Sequence, residues 1–106
     1  MTDPDSAEIE VSVVIPCLNE EATVGECVLR ARSALSENGI SGEVIVADNG
    51  STDSSREIAI EHGARIIPAI EKGYGSALMA GIAVARGRFI VMGDADGSYD
   101  FRETPR

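Results

Sequence analysis

The sequence predicts an α/β protein built on a parallel four-stranded sheet, with its elements in the order βαβαβαβ. Short runs of consecutive apolar, often β-branched residues alternate with longer stretches in which apolar residues recur at helical spacing. Strands that are apolar throughout and separated by helices are typical of parallel sheets covered on both faces and joined by right-handed crossovers. In the usual doubly wound arrangement the first and fourth strands are neighbours, so we expect the strand order 3-2-1-4.

The first strand and helix are predicted from a β-branched run and the polar residues after it. Residues 11–15 predict a strand that ends at Pro16. Asn19 is the expected N-cap of the following helix, because residues 20–21 are glutamates and acids favour the first turn. Apolar residues then recur at helical spacing until residues 38–39, an Asn-Gly pair that ends the helix.

The second strand is predicted at residues 43–47 and leads to a helix with two candidate caps. Either Asp53 caps it, or Ser54 forms a capping box with Glu57. The helix is expected to end at His62, where the simplest role of the imidazole is that of a cation at a helix C-terminus.

The last two strands flank a third helix. The third strand is predicted at residues 65–67, and the helix runs from near Gly75 to residues 86–87. The fourth strand is predicted at residues 89–92, where four consecutive apolar residues indicate burial on both faces.

Length, charge and composition exclude several classes of protein. A chain of 106 residues predicts one domain, in which residues 1–10 form a disordered lead and residues 11–106 fold. The net charge of −9 argues against a nucleic-acid partner, since phosphate backbones are bound by basic faces. No apolar run approaches the roughly 20 residues of a membrane span, and the acidic start is not a signal peptide. Cys17 and Cys27 are interpreted as buried thiols of a cytoplasmic protein.

Three polar loops are predicted to meet at one edge of the sheet. Ligands of doubly wound folds bind beside the carboxyl ends of the strands, where the strand order reverses. This edge receives residues 16–21, the loop that begins at Asp48, and the pair Asp94 and Asp96. Two carboxylates one residue apart repel each other, so the expected partner is a cation that prefers oxygen ligands, Mg²⁺ or Mn²⁺. The alternative is that one of these acids only caps the turn at residues 96–97.

The glycine pattern predicts a nucleotide held without a dinucleotide or P-loop motif. Residues 16–21, the first strand-to-helix turn, contain no glycine, and Lys72 precedes a glycine instead of following one. Asp48 can accept hydrogen bonds from a base or a ribose, and residues 73–75 (GYG) permit close approach of the backbone. Lys72 offers a positive charge for phosphate; the alternative is a solvated lysine in a helix-entry turn.

Four motifs occur in a characteristic order: residues 13–21 (VVIPCLNEE), 46–53 (VADNGSTD), 72–75 (KGYG) and 93–96 (GDAD). Together they resemble the family 2 glycosyltransferases with the GT-A fold. The nearest branch is the dolichyl- and polyprenyl-phosphate mannosyl- and glucosyltransferases. The resemblance covers most of residues 11–100 and implies that the chain is the Rossmann-like, nucleotide-sugar-binding N-terminal half of a GT-A domain.

The resemblance also implies a reaction and its residues. The reaction is inverting transfer of a hexose from a donor such as GDP-mannose or UDP-glucose, onto a polyprenyl or dolichyl phosphate, with Mg²⁺ or Mn²⁺ stabilising the departing diphosphate. Asp94 and Asp96 are implied as the catalytic, metal-binding acids, with Asp96 as the direct ligand. The donor-binding residues are implied to be Pro16, Leu18, Asn19, Glu20, Asp48, Asn49, Gly50, Lys72, Gly73, Asp94 and Ala95.

The chain departs from the family pattern at three points. Asn49 stands where the family often has a second Asp, and residues 97–100 replace the mannosyltransferase continuation, which leaves the donor sugar open. A GT-A domain is roughly twice this long. We therefore expect the acceptor site and membrane contact to lie in segments absent here, and the full-length protein to act at the inner face of the membrane.

Two other functions are considered for this chain, a nucleotide-sugar-binding module and a signalling domain. The chain alone can be an inactive nucleotide-sugar-binding module instead of an enzyme. A receiver-like signalling domain is disfavoured, because its third strand should end in Asp and this one ends in residues 67–68 (IP). We also expect self-association through the open edge of the fourth strand.

Overall fold

The computed structural model describes residues 9–93 and residue 95. In chain order the elements are β1 (Val11–Cys17), α1 (Val24–Glu37), β2 (Gly42–Asp48), α2 (Ser55–Glu61), β3 (Arg65–Pro68), α3 (Tyr74–Val84) and β4 (Phe89–Met92). The strands pair in parallel in the order β3-β2-β1-β4, which confirms the predicted fold class and sheet order. None of the helices found among these residues is long and apolar enough to cross a bilayer.

One face of the sheet packs against α1 and α2 and forms the main core. Successive residues of a strand point to opposite faces, so every second residue of β1 and β2 belongs to this side. The buried residues that meet here include Val13, Ile15, Val44 and Val46 from the strands, Val24 and Val28 from α1, and Ala59 from α2. Because β1 and β2 contribute buried residues to this core along their length, the ends of these two strands hold a fixed position for the loops that follow them.

The opposite face of the sheet is covered by α3, which lies so close to the strands at Gly81 that a side chain there would not fit. A Cβ built on Gly81 would overlap Cγ1 of Val14 and would lie 3.6 Å from the Cβ of Ala47. Ala77, one turn earlier, is also buried and packs near Ala47. Small residues on both surfaces therefore let α3 lie against the sheet and bring its first turn to the carboxyl ends of the strands.

The fourth strand was predicted to be buried on both faces, and that prediction is wrong. Phe89 is 61% exposed and Met92 is 51% exposed, while Val91 packs partly into the main core. Among the described residues β4 pairs only with β1, so it is an edge strand. An apolar run shows that a segment is a strand, but it does not reveal whether neighbours cover both of its sides.

The start of α1 also differs from the prediction. The helix begins at Val24, with Thr23 at the cap position, and Asn19 lies five residues earlier in a left-handed conformation with φ 53°. Pro16 does not end β1 but continues it, opposite Ala47 of β2. The proline is tolerated because the ladder between β1 and β4 ends two residues earlier, at Val14.

Two alternative caps were predicted for α2, Asp53 or a capping box of Ser54 and Glu57, and the structure distinguishes them. Ser54 occupies the cap position but makes no side-chain cap hydrogen bond, so the predicted capping box with Glu57 is absent. Asp53 instead accepts a hydrogen bond from the backbone N–H of Ser55, at 2.9 Å, and another from its hydroxyl, at 2.6 Å. The last helical residue is Glu61, and His62 occupies the C-cap position, in agreement with the predicted end of the helix.

Candidate functional site

A pocket of about 340 Å³ lies at the carboxyl ends of β1 and β2, beside the first turn of α3. It is the place that doubly wound sheets offer to ligands, because the strand order reverses between β1 and β4. The residues that line it are Pro16, Cys17, Leu18, Glu20, Asn49, Lys72, Gly73, Tyr74, Ala77 and Ala95.

Most of the predicted donor-binding residues that the structure describes line this pocket. They are Pro16, Leu18, Glu20, Asn49, Lys72, Gly73 and Ala95. Asn19, Asp48 and Gly50 belong to the adjoining loops but are not among the lining residues. The predicted acids Asp94 and Asp96 lie outside the described residues. Within the described part of the chain, no group of three or more potential metal-ligating side chains occurs.

Three lining residues were missed by the sequence analysis. Cys17 was interpreted only as a buried thiol, although it lies between two predicted site residues at the end of β1. Tyr74 was considered only as the middle residue of the GYG stretch, which was expected to permit close approach of the backbone. Ala77 lies one helical turn after Gly73, so the pocket side of α3 follows from helical spacing once the start of the helix is known.

The carboxylate of Asp48 is used by its own loop. Asp48 is 3% exposed. One oxygen, Oδ2, accepts hydrogen bonds from the backbone N–H groups of Gly50 (3.1 Å) and Ser51 (2.9 Å), and Oδ1 accepts the Ser51 hydroxyl at 2.5 Å. Arg56 lies farther away, with Nε 3.8 Å from Oδ2. In this structure Asp48 therefore shapes the loop after β2.

The loops after β1 and β2 are joined by reciprocal hydrogen bonds. Asn19 Oδ1 accepts the backbone N–H of Thr52 at 2.8 Å, while the Asn19 N–H donates to the Ser51 hydroxyl at 2.9 Å. Glu21 accepts the N–H of Ser54 at 2.9 Å and donates its own N–H to Asp53 at 3.2 Å. Asn19 thus connects two loops instead of capping a helix.

The titratable groups around the pocket leave little charge on its inner wall. Burial raises the pKa of the Cys17 thiol; hydrogen bonding with Ser55 offsets part of this rise, and the negative charge of Asp48 adds to it. The thiol is therefore neutral at physiological pH. Among the lining residues that the structure describes, Lys72 carries the positive charge and Glu20 the negative one.

Ala95, three residues after β4, lies at the pocket. It is 3% exposed, packs into the main core and lines the pocket. Its carbonyl oxygen accepts a hydrogen bond of 2.5 Å from the hydroxyl of Thr23, which precedes α1. The residue between the two predicted acids is therefore held at the same rim as the loops after β1 and β2.

The fold and the pocket together define a class of protein. The family model described as glycosyl transferase family 2 matches residues 12–105. The chain belongs to this family, and its sheet is the Rossmann-like part of the GT-A fold.

Particular relatives agree with this assignment. The chain is 48% identical over 96 residues to the low-salt glycan biosynthesis hexosyltransferase Agl6 of Haloferax volcanii. The aligned residues make up 91% of this chain and 23% of that protein. It is 38% identical over 111 residues to the dolichyl-phosphate beta-glucosyltransferase of Drosophila melanogaster, covering 92% of this chain and 34% of the relative. The chain thus spans well under half the length of these relatives.

A solved structure supplies the ligands bound by one relative. Glucosyl-3-phosphoglycerate synthase from Mycobacterium tuberculosis, in complex with Mn²⁺, UDP and glucosyl-3-phosphoglycerate, superposes with a TM-score of 0.69 at 34% identity. The match covers 86% of this chain and 35% of that one. The same synthase has also been solved with Mg²⁺ and UDP.

Proposed function

We propose that this chain is the donor-binding part of a glycosyltransferase that transfers a hexose from a nucleotide-sugar to a polyprenyl or dolichyl phosphate. The observation that carries the proposal is the pocket itself, because loops from four parts of the chain converge on one rim and Ala95 is among them. Asp94 and Asp96 flank Ala95 in the sequence, and the proposal assigns to them the cation at this rim.

The described residues fit a nucleoside diphosphate better than a neutral ligand. Lys72 provides a positive charge, and Gly73, with φ 116°, adopts a backbone conformation that favours glycine and presents no side chain to the pocket. Pro16 and Leu18 offer apolar surface for the base. The whole chain carries a net charge of −9, so a diphosphate needs more positive charge than Lys72 alone. Mg²⁺ or Mn²⁺, held by Asp94 and Asp96, would stabilise the negative charge of the leaving diphosphate.

The proposed reaction is a single displacement at the anomeric carbon. An oxygen of the acceptor phosphate forms a bond to the anomeric carbon. At the same time, the bond between the anomeric carbon and the donor's phosphate oxygen breaks. The nucleoside diphosphate leaves with the electron pair, and attack from the opposite side inverts the configuration. A phosphate acceptor is already an anionic nucleophile and needs little help from a general base. The role of the described residues is to bind and orient the diphosphate.

The lipid acceptor and the location of the protein are part of the same proposal. A dolichyl-phosphate glucosyltransferase is among the relatives, and this supports a lipid-phosphate acceptor. We further propose that the site acts in the cytoplasm, at the inner face of a membrane.

Calorimetry with UDP and GDP, each with and without Mn²⁺, tests the proposal. We expect one of the two nucleotides to bind with Mn²⁺ and to lose at least about tenfold in affinity when the metal is chelated, because the acidic chain then repels the diphosphate. UMP and GMP, which keep the base and have one phosphate, are the matched controls and should show little dependence on the metal. Equal affinity with and without Mn²⁺ would contradict the metal-bound diphosphate.

Transfer of radiolabelled sugar separates an enzyme from a binding module. Turnover of UDP-glucose or GDP-mannose onto polyprenyl phosphate would support the transferase. Metal-dependent binding without turnover would support the alternative, a nucleotide-sugar-binding module that performs no transfer.

Self-association through β4 is a separate proposal about the partners of this chain. The strand exposes Phe89 and Met92 and has one described neighbour, so its other edge can add a strand from a second copy. We expect a concentration-dependent dimer in sedimentation, and Ile90→Lys should shift it to monomer by placing a charge on the exposed strand. A monomer at all concentrations would contradict this proposal.

A further inference from the structure

We propose that Asn49 is a positioning residue that fixes the donor loop, defined as residues 69–73, and does not itself bind the nucleotide. The inference deepens the proposed function, because this loop supplies Lys72 and Gly73 to the pocket. Sequence resemblance implied Asn49 as a ligand-binding residue, whereas its hydrogen bonds are made to the protein.

The Asn49 side chain spans the donor loop at three points. Its Nδ2 donates to the carbonyl oxygens of Ala69, at 3.2 Å, and Glu71, at 2.8 Å. Its Oδ1 accepts the backbone N–H of Gly73 at 2.8 Å. Both amide hydrogens are thus used inside the protein, and the residue is only 6% exposed.

The backbone around Asn49 anchors this side chain to the end of the sheet. The Asn49 N–H donates to the carbonyl oxygen of Cys17 at 2.9 Å, and the Ala69 N–H donates to that of Asp48 at 2.8 Å. Lys72 lies between two residues that Asn49 holds, Glu71 and Gly73. Lys72 is exposed, so burial does not fix its place. The backbone of Lys72 is instead positioned at the pocket by the hydrogen bonds of Asn49 to its two neighbours.

An amide is required at this position, because the side chain both donates and accepts. In Asn49→Asp the carboxylate still accepts from Gly73, but its second oxygen faces the carbonyl oxygens of Ala69 and Glu71 and repels them. Protonation restores one donor, so the ordered loop raises the pKa of the introduced carboxyl. Order is then gained as the pH falls through that raised pKa and lost as the pH rises.

Other charged and titratable groups lie near this position. The Cys17 thiol, Glu20 and Lys72 line the same pocket. Asp48 precedes Asn49 in the sequence, and Glu71 accepts a hydrogen bond from Asn49 through its backbone carbonyl oxygen. All of them are present in both wild type and variant, so the difference in pH profile between the two isolates the group at position 49.

The test compares four forms of the 106-residue chain: wild type, Asn49→Asp, Asn49→Ala and the control Asn38→Asp. Asn38 donates its side-chain N–H to the Ala34 carbonyl at 2.7 Å, at the end of α1, so its replacement makes the same chemical change away from the pocket. Two quantities are measured at pH 5.5 and pH 8: affinity for Mn²⁺ with UDP or GDP, and hydrogen-exchange protection of the Ala69 and Gly73 amides.

We expect Asn49→Asp to lose about 10- to 100-fold in nucleotide affinity at pH 8 and to recover most of it at pH 5.5. Asn49→Ala should be weakened at both pH values, and Asn38→Asp should stay within about twofold of wild type. Protection of the two loop amides should fall wherever affinity falls. A purely structural role would lower the melting temperature without a pH-dependent change in affinity.

Failure of this inference is distinguishable from failure of the proposed function. Wild-type-like protection of the donor loop in both Asn49 variants overturns the positioning role, whatever the nucleotide does. If wild type binds neither UDP nor GDP with Mn²⁺, the proposed function is overturned, and the protection measurement still decides whether Asn49 orders the loop. If an Asn49 variant fails to fold, the other variant supplies the comparison, and unfolding of both overturns the inference.

Discussion

Asp96→Asn is expected to lower the Mn²⁺-dependent affinity for UDP or GDP by at least about a hundredfold. Groups that only support a metal ligand already cost 10- to 100-fold when they are replaced, so loss of a direct ligand should cost at least the upper end of that range. The substitution keeps the size of the side chain and removes one negative charge. Without the cation, the diphosphate meets a chain of net charge −9 with Lys72 as the positive group of the described pocket lining.

The measurement is a calorimetric titration of nucleotide at saturating Mn²⁺, repeated for Asp94→Asn and Glu57→Gln. Glu57 is exposed on α2, outside the pocket, and loses the same charge. The Glu57→Gln variant should bind nucleotide with the affinity of the wild type. If Asp96→Asn also binds as wild type does, the metal is held elsewhere or is not used, and the predicted roles of Asp94 and Asp96 are wrong.

Asp48→Ala is expected to lower the free energy of unfolding by about 3–5 kcal/mol. The carboxylate accepts two backbone N–H groups and a hydroxyl in a buried position, and each buried donor left without a partner costs about 1–3 kcal/mol. Asp48→Asn keeps one oxygen acceptor and should lose less. The order of stability is therefore wild type, then Asp48→Asn, then Asp48→Ala.

Urea unfolding followed by circular dichroism measures these differences. Glu57→Ala is the control, because an exposed helical acid is expected to change stability by no more than about 0.5 kcal/mol. If Asp48→Ala is as stable as this control but no longer binds nucleotide, the main role of Asp48 is contact with the ligand. If it is less stable and its folded fraction still binds, the carboxylate acts through the loop after β2.

The strands and their order could be predicted because burial leaves a clear pattern in the sequence. Consecutive β-branched residues marked β1 and β2, and the alternation with helices fixed the parallel order. The exposure of β4 could not be predicted in this way. Its apolar residues have the composition of a central strand, and only the positions of neighbouring strands show that it lies at an edge.

The polar residues of the site were predicted to lie together, but their partners were not. Asn19 was assigned as a helix cap because it precedes two acids, whereas its oxygen accepts a backbone N–H from Thr52, 33 residues later. Asn49 was predicted to bind the nucleotide, whereas its side chain is hydrogen-bonded to Ala69 and Gly73, which lie 20 and 24 positions later in the chain. Propensity describes interactions within a few residues, so it cannot identify hydrogen bonds between loops that only the folded sheet brings together.

The reciprocal hydrogen bonds between the loops after β1 and β2 also affect how the molecule folds. A shift of one residue between the two strands would move Asn19 and Glu21 about 3.3 Å away from Thr52, Asp53 and Ser54, and would break every bond between them. The hydrogen bonds between the two loops therefore favour the native register of β1 and β2 over a register shifted by one residue. A misaligned intermediate would have an incomplete pocket, so the ability to capture ligand reports on the correctness of the sheet.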